Sequence, residues 1–336
     1  MSHPYVALYR KYRPQDFNDV AGQEQVVTLL KGAIKEKKVS HAYLFCGGRG
    51  TGKTTVARIF AREIGCNPED IIEIDAASNR GIDEIRELRD AVRTAPFSSP
   101  YKVYIVDEAH MLTKEAANAL LKTLEEPPSH VIFILATTDP DKLPQTIVSR
   151  CQKVVFKNPD VDTLVKRLMY VAEQEGGPTL DEAFAKKIAA HGKGSYRDAL
   201  GMLEQVLTSI GSKVALTEDK LAGILGFAKE EELIILLEVF SKKDSKGVLA
   251  SMKKLEAGNA LRTYDDFIEM VRTGLLVRIG EEEVKNKELA RIAKEYPLVI
   301  SSKLVLELLE KRHLLEVSAD HAWAAFEAIL LSSTEA

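Results

Sequence analysis

A glycine-rich octapeptide at residues 47–54, GGRGTGKT, limits the possible folds of this chain more than any other feature of its sequence. It fits the pattern G-x-x-x-x-G-K-[ST] and stands between an apolar run at residues 42–46 and an amphipathic run at residues 53–64. In that context the glycines let backbone N–H groups curl around a phosphate at the start of a helix, and the lysine reaches the terminal phosphates. The sequence therefore predicts a strand, a phosphate-binding loop and a helix, with a nucleoside triphosphate as the ligand.

Strand and helix patterns alternate over residues 42–156. Short runs rich in Val, Ile, Phe and Tyr, bounded by Gly, Pro, Asn or Asp, predict strands. The amphipathic runs between them have 3.6-residue spacing and predict helices. Strands separated by helices favour a mainly parallel sheet that is covered on both faces. The predicted strands are residues 42–46, 71–75, 102–107, 131–137 and 153–156, and the predicted helices between them are residues 53–64, 82–93 and 114–125.

The strand signals stop after residue 158, and the rest of the chain shows helical periodicity with polar breaks. One helix is expected to begin near Ser195, which is a suitable N-cap, and to run to about residue 210. We therefore predict an α/β P-loop domain at residues 1–157, a small helical lid domain at residues 158–214 and an all-α C-terminal domain at residues 215–336. Helices of the last domain are predicted at residues 231–240, 246–256, 264–279, 302–315 and 319–331.

Composition and charge exclude several classes of protein. Apolar residues make up 45% of the 336 and charged residues 29%, which is unlike disordered, collagen-like or disulfide-rich secreted chains. No apolar run approaches the ~20 residues that span a bilayer. Residues 1–13 show no secretory signal, so we expect a cytoplasmic protein. The net charge is only −4, but residues 1–65 carry 11 basic and 5 acidic side chains, which indicates a phosphate-handling surface early in the chain.

A second motif supplies carboxylates for hydrolysis. The predicted strand at residues 102–107 ends in Asp107 and is followed by Glu108, and in open α/β sheets ligands gather at the carboxyl ends of the strands. Asp107, with the hydroxyl of Thr54, is the expected holder of Mg²⁺, and Glu108 the expected group that polarises the attacking water. The string Asp-Glu-Ala-His that ends at His110 also occurs in a class of nucleic-acid helicases. We interpret it as a coincidence, because the downstream features do not follow that class.

Three further residues are candidates for contact with the terminal phosphate. Thr138 follows the predicted strand at residues 131–137 and could orient the attacking water or merely cap the turn. Arg150 has no evident partner in its own chain. An arginine pointing outward there is either a solvated surface residue or an arginine finger that completes a neighbouring subunit's site. Arg197, in the first turn of a predicted helix, opposes the helix dipole. An anion bound at that helix end would explain its placement, and local pairing with Asp198 or another nearby acid is the alternative.

These motifs resemble those of the AAA+ clamp-loader ATPases, and among them the bacterial DNA polymerase III gamma/tau subunits. The resemblance implies an AAA+ fold and a collar-type oligomerisation role for residues 215–336. The segments that carry it are YRKYRP at residues 9–14, DVAGQ at 19–23, the octapeptide at 47–54, VDEAHML at 106–112, LLKTLEEPP at 120–128, LATTDP at 135–140, SRC at 149–151 and GSYRDAL at 194–200.

The resemblance also implies roles for single residues. Glu108 is the expected catalytic base, Thr138 a sensor of the γ-phosphate, and Arg150 a finger that acts in trans. Arg197 is expected to act in cis as a second sensor. The implied ATP contacts are Gly47, Gly50, Thr51, Gly52, Lys53, Thr54, Thr55, Arg197 and, near the adenine, Tyr12, Arg13 and Val20, with Mg²⁺ on Thr54 and Asp107.

The implied function is that of a Mg²⁺-dependent ATPase motor subunit of the replicative clamp loader, which loads the sliding clamp onto primed DNA and is not itself the polymerising subunit. The implied partners are delta-like and delta-prime-like sister subunits, the clamp and primer-template DNA. Polymerase and helicase would join them if the chain is the front of a longer, tau-like form rather than a complete gamma-like one. No membrane partner is expected.

Three alternatives stay open. A non-catalytic structural subunit of the same assembly is disfavoured by the intact Lys53, Thr54 and Glu108. An AAA+ DNA translocase, such as a branch-migration motor, usually ends in a basic DNA-binding domain, and the last third of this chain is not visibly basic. A replication-factor-type small subunit shares most of these motifs.

One departure from the gamma/tau pattern concerns zinc. Those subunits typically insert a four-cysteine zinc module between the first helix and the second strand, whereas here residues 65–70 lead straight to the second strand. Of the three cysteines, Cys46, Cys66 and Cys151, only Cys66 lies in that region, and no Cys-x-x-Cys is present. We therefore predict that the chain has no zinc site.

Overall fold

The computed structural model describes residues 5–78, 91–176, 180–210, 216–256, 258–281 and 286–335. The chain divides into two compact units, Met1–Glu204 and Gln205–Ala336. The first contains a parallel sheet with helices and the second contains helices, which confirms the predicted fold class. The three-domain division at residues 157 and 214 stays a prediction.

Five strands form one parallel sheet in the first unit. They are β1 (Ala42–Cys46), β2 (Ile71–Asp75), β3 (Lys102–Asp107), β4 (Val131–Thr137) and β5 (Gln152–Val155), in the order β2-β3-β4-β1-β5. The first four have the predicted bounds. The prediction for the fifth, residues 153–156, was wrong by one residue at each end. β5 is an edge strand in which only Val154 is buried, so its apolar pattern marks its ends poorly.

Alternate residues of the central strands enter two separate cores. On one face Leu44, Tyr104 and Leu135 pack with one set of helices, and on the other Phe45 and Ile134 pack with another. A strand buried on both faces needs apolar side chains at successive positions, which explains the continuous apolar runs in the sequence. Burial on both faces fixes the sheet and therefore the positions of the loops that leave its carboxyl edge.

Two helices of the first unit have bounds close to the predicted ones: residues 53–64 were predicted for Lys53–Glu63, and residues 114–125 for Lys114–Glu125. The predicted helix at residues 82–93 lies almost wholly outside the described residues. The described helices of this unit are α1 (Leu8–Lys11), α2 (Glu24–Lys35), α3 (Lys53–Glu63), α4 (Lys114–Glu125), α5 (Gln145–Val148), α6 (Val161–Gln174) and α7 (Glu182–His191), while α8 (Tyr196–Ile210) crosses the unit boundary.

The second unit is built from helices around one apolar core. Its centre includes Tyr264, whose ring meets Phe326 edge-on at 4.9 Å and whose hydroxyl donates to the carbonyl of Leu308 at 2.7 Å. The helices are α9 (Glu218–Leu225), α10 (Glu230–Ser241), α11 (Ser245–Leu255), α12 (Ala260–Ile279), α13 (Lys287–Glu295), α14 (Ser302–Val317) and α15 (Ala322–Glu335). Among the described residues of either unit, no helix combines the length and apolar character needed to cross a bilayer.

Candidate nucleotide-binding site

The octapeptide forms the loop between β1 and α3, as predicted. Gly50 and Gly52 have φ values of +72° and +100°, a backbone region that favours glycine. A Cβ on Gly50 would lie 2.1 Å from the hydroxyl oxygen of Ser195, and the Gly50 carbonyl accepts from the N–H of Tyr196 at 3.0 Å. The glycine therefore permits the start of α8 to approach the loop closely.

Lys53 is buried at the start of α3. Its ammonium donates to the carbonyls of Gly47 and Gly48, both at 2.8 Å, so the side chain curls over the loop that would hold the phosphates. Burial lowers the pKa of Lys53, an effect that the nearby carboxylates of Glu108 and Asp107 oppose. The cation is thus held in a desolvated position where a phosphate would be its strongest partner.

Thr54 and Asp107 meet at the carboxyl edge of the sheet. The Thr54 hydroxyl donates to Asp107 Oδ2 at 2.7 Å, and the backbone N–H of Glu108 donates to Asp107 Oδ1 at 3.0 Å. A hydroxyl and a carboxylate side by side are hard oxygen donors. They suit Mg²⁺, which takes few protein ligands and completes its shell with phosphate oxygens and water.

Glu108 occupies a strained backbone position with φ of +48°. Its Oε2 accepts from the hydroxyl of Thr138 at 3.4 Å and lies 3.5 Å from Nδ1 of His110. The same His110 nitrogen lies 3.0 Å from the hydroxyl of Thr137. The predicted base and sensor are therefore neighbours, and they share a cluster with His110, for which the sequence indicated no role.

A cavity of about 800 Å³ opens beside the loop. Seven basic and five acidic side chains line it, an excess of positive charge that suits a polyphosphate. Gly47 and Thr138 do not line the cavity themselves. The Gly47 carbonyl accepts from Lys53 and the Thr138 hydroxyl donates to Glu108, and both of these partners line it. The predicted site residues that line the cavity are Tyr12, Arg13, Val20, Gly50, Thr51, Gly52, Lys53, Thr54, Thr55, Asp107, Glu108 and Arg197.

The N-terminal segment and the start of α8 close two sides of this cavity. The guanidinium of Arg197 lies 5.7 Å from the ring centroid of Tyr9, a cation–π contact rather than the alternative pairing with Asp198. Ser195 caps α8 as predicted, because its hydroxyl oxygen accepts from the N–H of Asp198 at 3.2 Å. The carbonyl of Tyr12 accepts from Arg167 of α6. Burial raises the pKa of Tyr12 to about 12, which keeps the phenol neutral.

Arg150 is placed differently from the expectation. We expected no partner in its own chain, and that was wrong: its guanidinium pairs with Glu125 at 2.6 Å and donates to the carbonyl of Thr146 at 2.7 Å. Sequence reasoning missed Glu125 because 25 residues separate the two. The Arg150 side chain is 35% exposed and does not line the cavity of its own chain.

The cysteines are buried or half-buried thiols. Cys66 donates to the carbonyl of Tyr101 at 3.2 Å, and burial raises its pKa to about 11. Burial raises the pKa of Cys151 to about 12. Thiols with such pKa values are protonated and unreactive at neutral pH. The absence of zinc stays a prediction.

Solved structures share this architecture. The Holliday junction branch migration motor RuvB of Thermotoga maritima superposes with a TM-score of 0.54 at 21% sequence identity, covering 84% of this chain and 98% of that one. At this identity the likeness concerns the fold. The fold and the loop define the class: this chain is a P-loop protein of the AAA+ type.

Curated relatives narrow the class to one family. The chain is 38% identical to DNA polymerase III subunit gamma of Buchnera aphidicola from Acyrthosiphon pisum, over 80% of this chain and 79% of that protein. A second Buchnera gamma subunit is 32% identical over 98% of this chain and 99% of its own length. The chain belongs to the DNA polymerase III gamma/tau family.

Two further comparisons show how much of a longer relative this chain spans and which of its residues match a related family. DNA polymerase III subunit tau of Bacillus subtilis is 39% identical over 92% of this chain, which spans 60% of that relative's length. The sequence profile of a family described as "DNA polymerase III, delta subunit" matches residues 22–79 and 67–160. The similarity to DNA polymerase III subunits therefore includes the phosphate-binding loop and the Asp107–Glu108 pair.

Proposed function

We propose that this chain is the ATP-hydrolysing motor subunit of a clamp loader, which loads a sliding clamp onto primed DNA. The observation that carries the proposal is the cluster of Lys53, Thr54, Asp107 and Glu108 at one edge of the sheet in a chain of the gamma/tau family. A purely structural subunit would not need this set of groups. The function also implies a cytoplasmic location, as the sequence analysis expects.

The proposed chemistry assigns each group a task. Lys53 leaves the loop carbonyls for the β- and γ-phosphates, and the loop N–H groups hold the phosphate chain. Thr54 and Asp107 would hold Mg²⁺, which would supply positive charge to offset that of the phosphates. Glu108 accepts the proton of the attacking water, while the Thr138 hydroxyl orients that water.

Two arginines outside the phosphate-binding loop would make hydrolysis depend on α8 and on a neighbouring subunit. Arg197 approaches the γ-phosphate from the start of α8 in the same chain. Arg150 reaches the γ-phosphate held by a neighbouring subunit, and such a finger contributes ~10³ to 10⁵ in rate. ATP would then link subunits, and the link would be released on hydrolysis.

The helical second unit supports an assembly role. On α14, Leu304, Leu308 and Leu315 are buried in the core, whereas Leu306 and Val317 are 60% and 82% exposed. With 3.6 residues per turn, the exposed pair lies on the face opposite the buried residues. We infer that this face contacts the corresponding helical domain of a sister subunit, delta-like, delta-prime-like or a further copy of this chain. The clamp and primer-template DNA complete the proposed partners, with polymerase and helicase if a longer form exists.

The test is steady-state ATP hydrolysis by the chain alone, with its sister subunits, and with clamp and primed DNA added. The chain alone should hydrolyse ATP slowly, because Arg150 serves a neighbour, and the full set should stimulate hydrolysis strongly. Lys53→Ala should abolish the stimulated rate. Stimulation by branched DNA, but not by clamp and primed DNA, would favour the translocase alternative instead.

A further inference from the structure

The guanidinium of Arg150 is held from two sides by its own chain. Nη2 pairs with Oε1 of Glu125 at 2.6 Å, and Nη1 donates to the carbonyl of Thr146 at 2.7 Å. The backbone N–H of Arg150 donates to the carbonyl of Ile147 at 3.0 Å, which fixes the turn that follows α5. Two of the five guanidinium donors are therefore used, and the other three meet no acceptor among the described residues.

Glu125 is well placed to hold this arginine still. It is the last residue of α4, whose Leu120 and Leu124 are buried in the core on one face of the sheet. The backbone of Glu125 is thus anchored by packing, while its side chain is 47% exposed. A long arginine side chain that is free in solvent loses considerable conformational entropy when it is fixed.

We propose that Glu125 is a positioning residue for the arginine finger. By binding one Nη group it holds the guanidinium with three N–H donors free for the phosphate oxygens of a neighbouring subunit. This inference rests on the proposed function, in which Arg150 acts in trans. A guanidinium that is already ordered loses less conformational entropy when the transition state forms. Glu125 therefore accelerates hydrolysis without contacting the nucleotide.

The electrostatics are compatible with this role. The pair is exposed enough that water and salt weaken it, so it contributes little to folding stability. A loss of hydrolysis on changing Glu125 would therefore report on geometry rather than on unfolding. One carboxylate contact also leaves the guanidinium able to bind a phosphate with its remaining donors.

The experiment measures kcat and KM for ATP in the assembly of this chain with its sister subunits, clamp and primed DNA. Glu125→Ala should lower kcat about 5-fold with little change in KM, since an exposed ion pair orders the finger only weakly and a misplaced catalytic group acts on the transition state. Glu125→Gln keeps an oxygen acceptor and should recover part of the rate. Glu126→Ala removes the same charge one residue later and serves as the matched control, with a wild-type rate expected.

A double-mutant comparison separates positioning from a general structural effect. If Glu125 acts through the finger, Glu125→Ala combined with Arg150→Ala should be no slower than Arg150→Ala alone. A further loss in the double variant, or a wild-type or faster rate for Glu125→Ala alone, overturns the inference while the trans role of Arg150 stands. A wild-type rate for Arg150→Ala overturns the trans role and this inference with it.

Discussion

Glu108 has a strained backbone conformation, and its side chain lies in a cluster of polar groups. A left-handed φ at a non-glycine residue is unfavourable, and such residues persist where the surrounding structure over-determines them. Here the backbone turn brings the carboxylate to Thr138 and His110 while its N–H donates to Asp107. The strained residue is the one that the proposed mechanism requires to face the attacking water.

Glu108→Gln separates hydrolysis from binding. The amide keeps the size of the side chain but cannot accept the proton, so hydrolysis should fall by about 10²–10⁴ while ATP still binds. Lys53→Ala should instead lose ATP binding, because the proposed mechanism places the ammonium against the phosphates. Phosphate release and equilibrium binding of a fluorescent ATP analogue measure the two effects. Hydrolysis at the wild-type rate by Glu108→Gln would remove Glu108 from the role of base.

Individual site residues could be predicted from sequence where local spacing fixes their geometry. The octapeptide and the strand that ends in Asp107 placed Lys53, Thr54 and Glu108 together, because both segments leave the same edge of the sheet. The contacts between Gly50 and Ser195 and between Arg150 and Glu125 could not be predicted. They join segments that are distant in sequence, and local patterns carry no information about such pairs.

Two connecting segments beside the sheet are joined by a buried carboxylate. Asp70 ends the turn before β2, and its two oxygens accept from the N–H groups of Phe97 at 2.6 Å and Ser98 at 3.0 Å in the approach to β3. Burial alone would raise its pKa, but these hydrogen bonds and those from Ser99 outweigh it, and the pKa of Asp70 is lowered. The segment that contains Phe97 and Ser98 is therefore held in place by an ionised Asp70.

Asp70→Ala should destabilise the protein by about 2–3 kcal/mol at neutral pH, because two N–H groups lose a charged acceptor. The ordinary pKa of the carboxyl is 3.8 and the folded value is lower. The contribution is therefore complete above pH 3.8 and is lost as the pH falls through the folded value. Urea unfolding across this pH range measures it. Exposed Glu69→Ala is the control, and an equal loss of stability in that variant would contradict the assignment.

The helices and strands themselves were largely predictable. β1 to β4 have the predicted bounds because apolar runs end where burial ends. The prediction for α12 began at residue 264, whereas the helix starts at Ala260 because the Asn259 side chain accepts from the N–H of Arg262. Periodicity reveals that a segment is helical, but a cap decides where the helix starts.

Two apolar side chains of the second unit, Leu306 and Val317, are exposed on one face of α14. Leu306 and Val317 are exposed on α14 although the residues on the opposite face of the helix are buried. The pair is about 16 Å apart along the helix, and the exposed Glu310 and His313 lie between them, so this face offers a partner both apolar and polar contacts. The sequence predicted the helix, but which of its apolar side chains are buried became clear only when the packing was known.

Leu306→Asp combined with Val317→Asp should weaken assembly with sister subunits while leaving the isolated chain folded. Both side chains are largely exposed, so the free energy of unfolding should fall by only about 1–1.5 kcal/mol, from the lower helix propensity of Asp and its charge at the end of α14. Analytical ultracentrifugation of the mixture measures the assembly. Ile279→Asp, on α12 and 58% exposed, is the control. Equal loss of assembly in the control would show that this face of α14 has no special role.

The most direct measurement is ATP hydrolysis by an assembly whose copies of this chain carry Arg150→Ala, in the presence of clamp and primed DNA. A finger that acts across the subunit boundary predicts a fall of about 10³-fold or more, while each isolated Arg150→Ala chain binds ATP as the unchanged chain does. Hydrolysis at the unchanged rate by that assembly would contradict a site shared between neighbouring subunits.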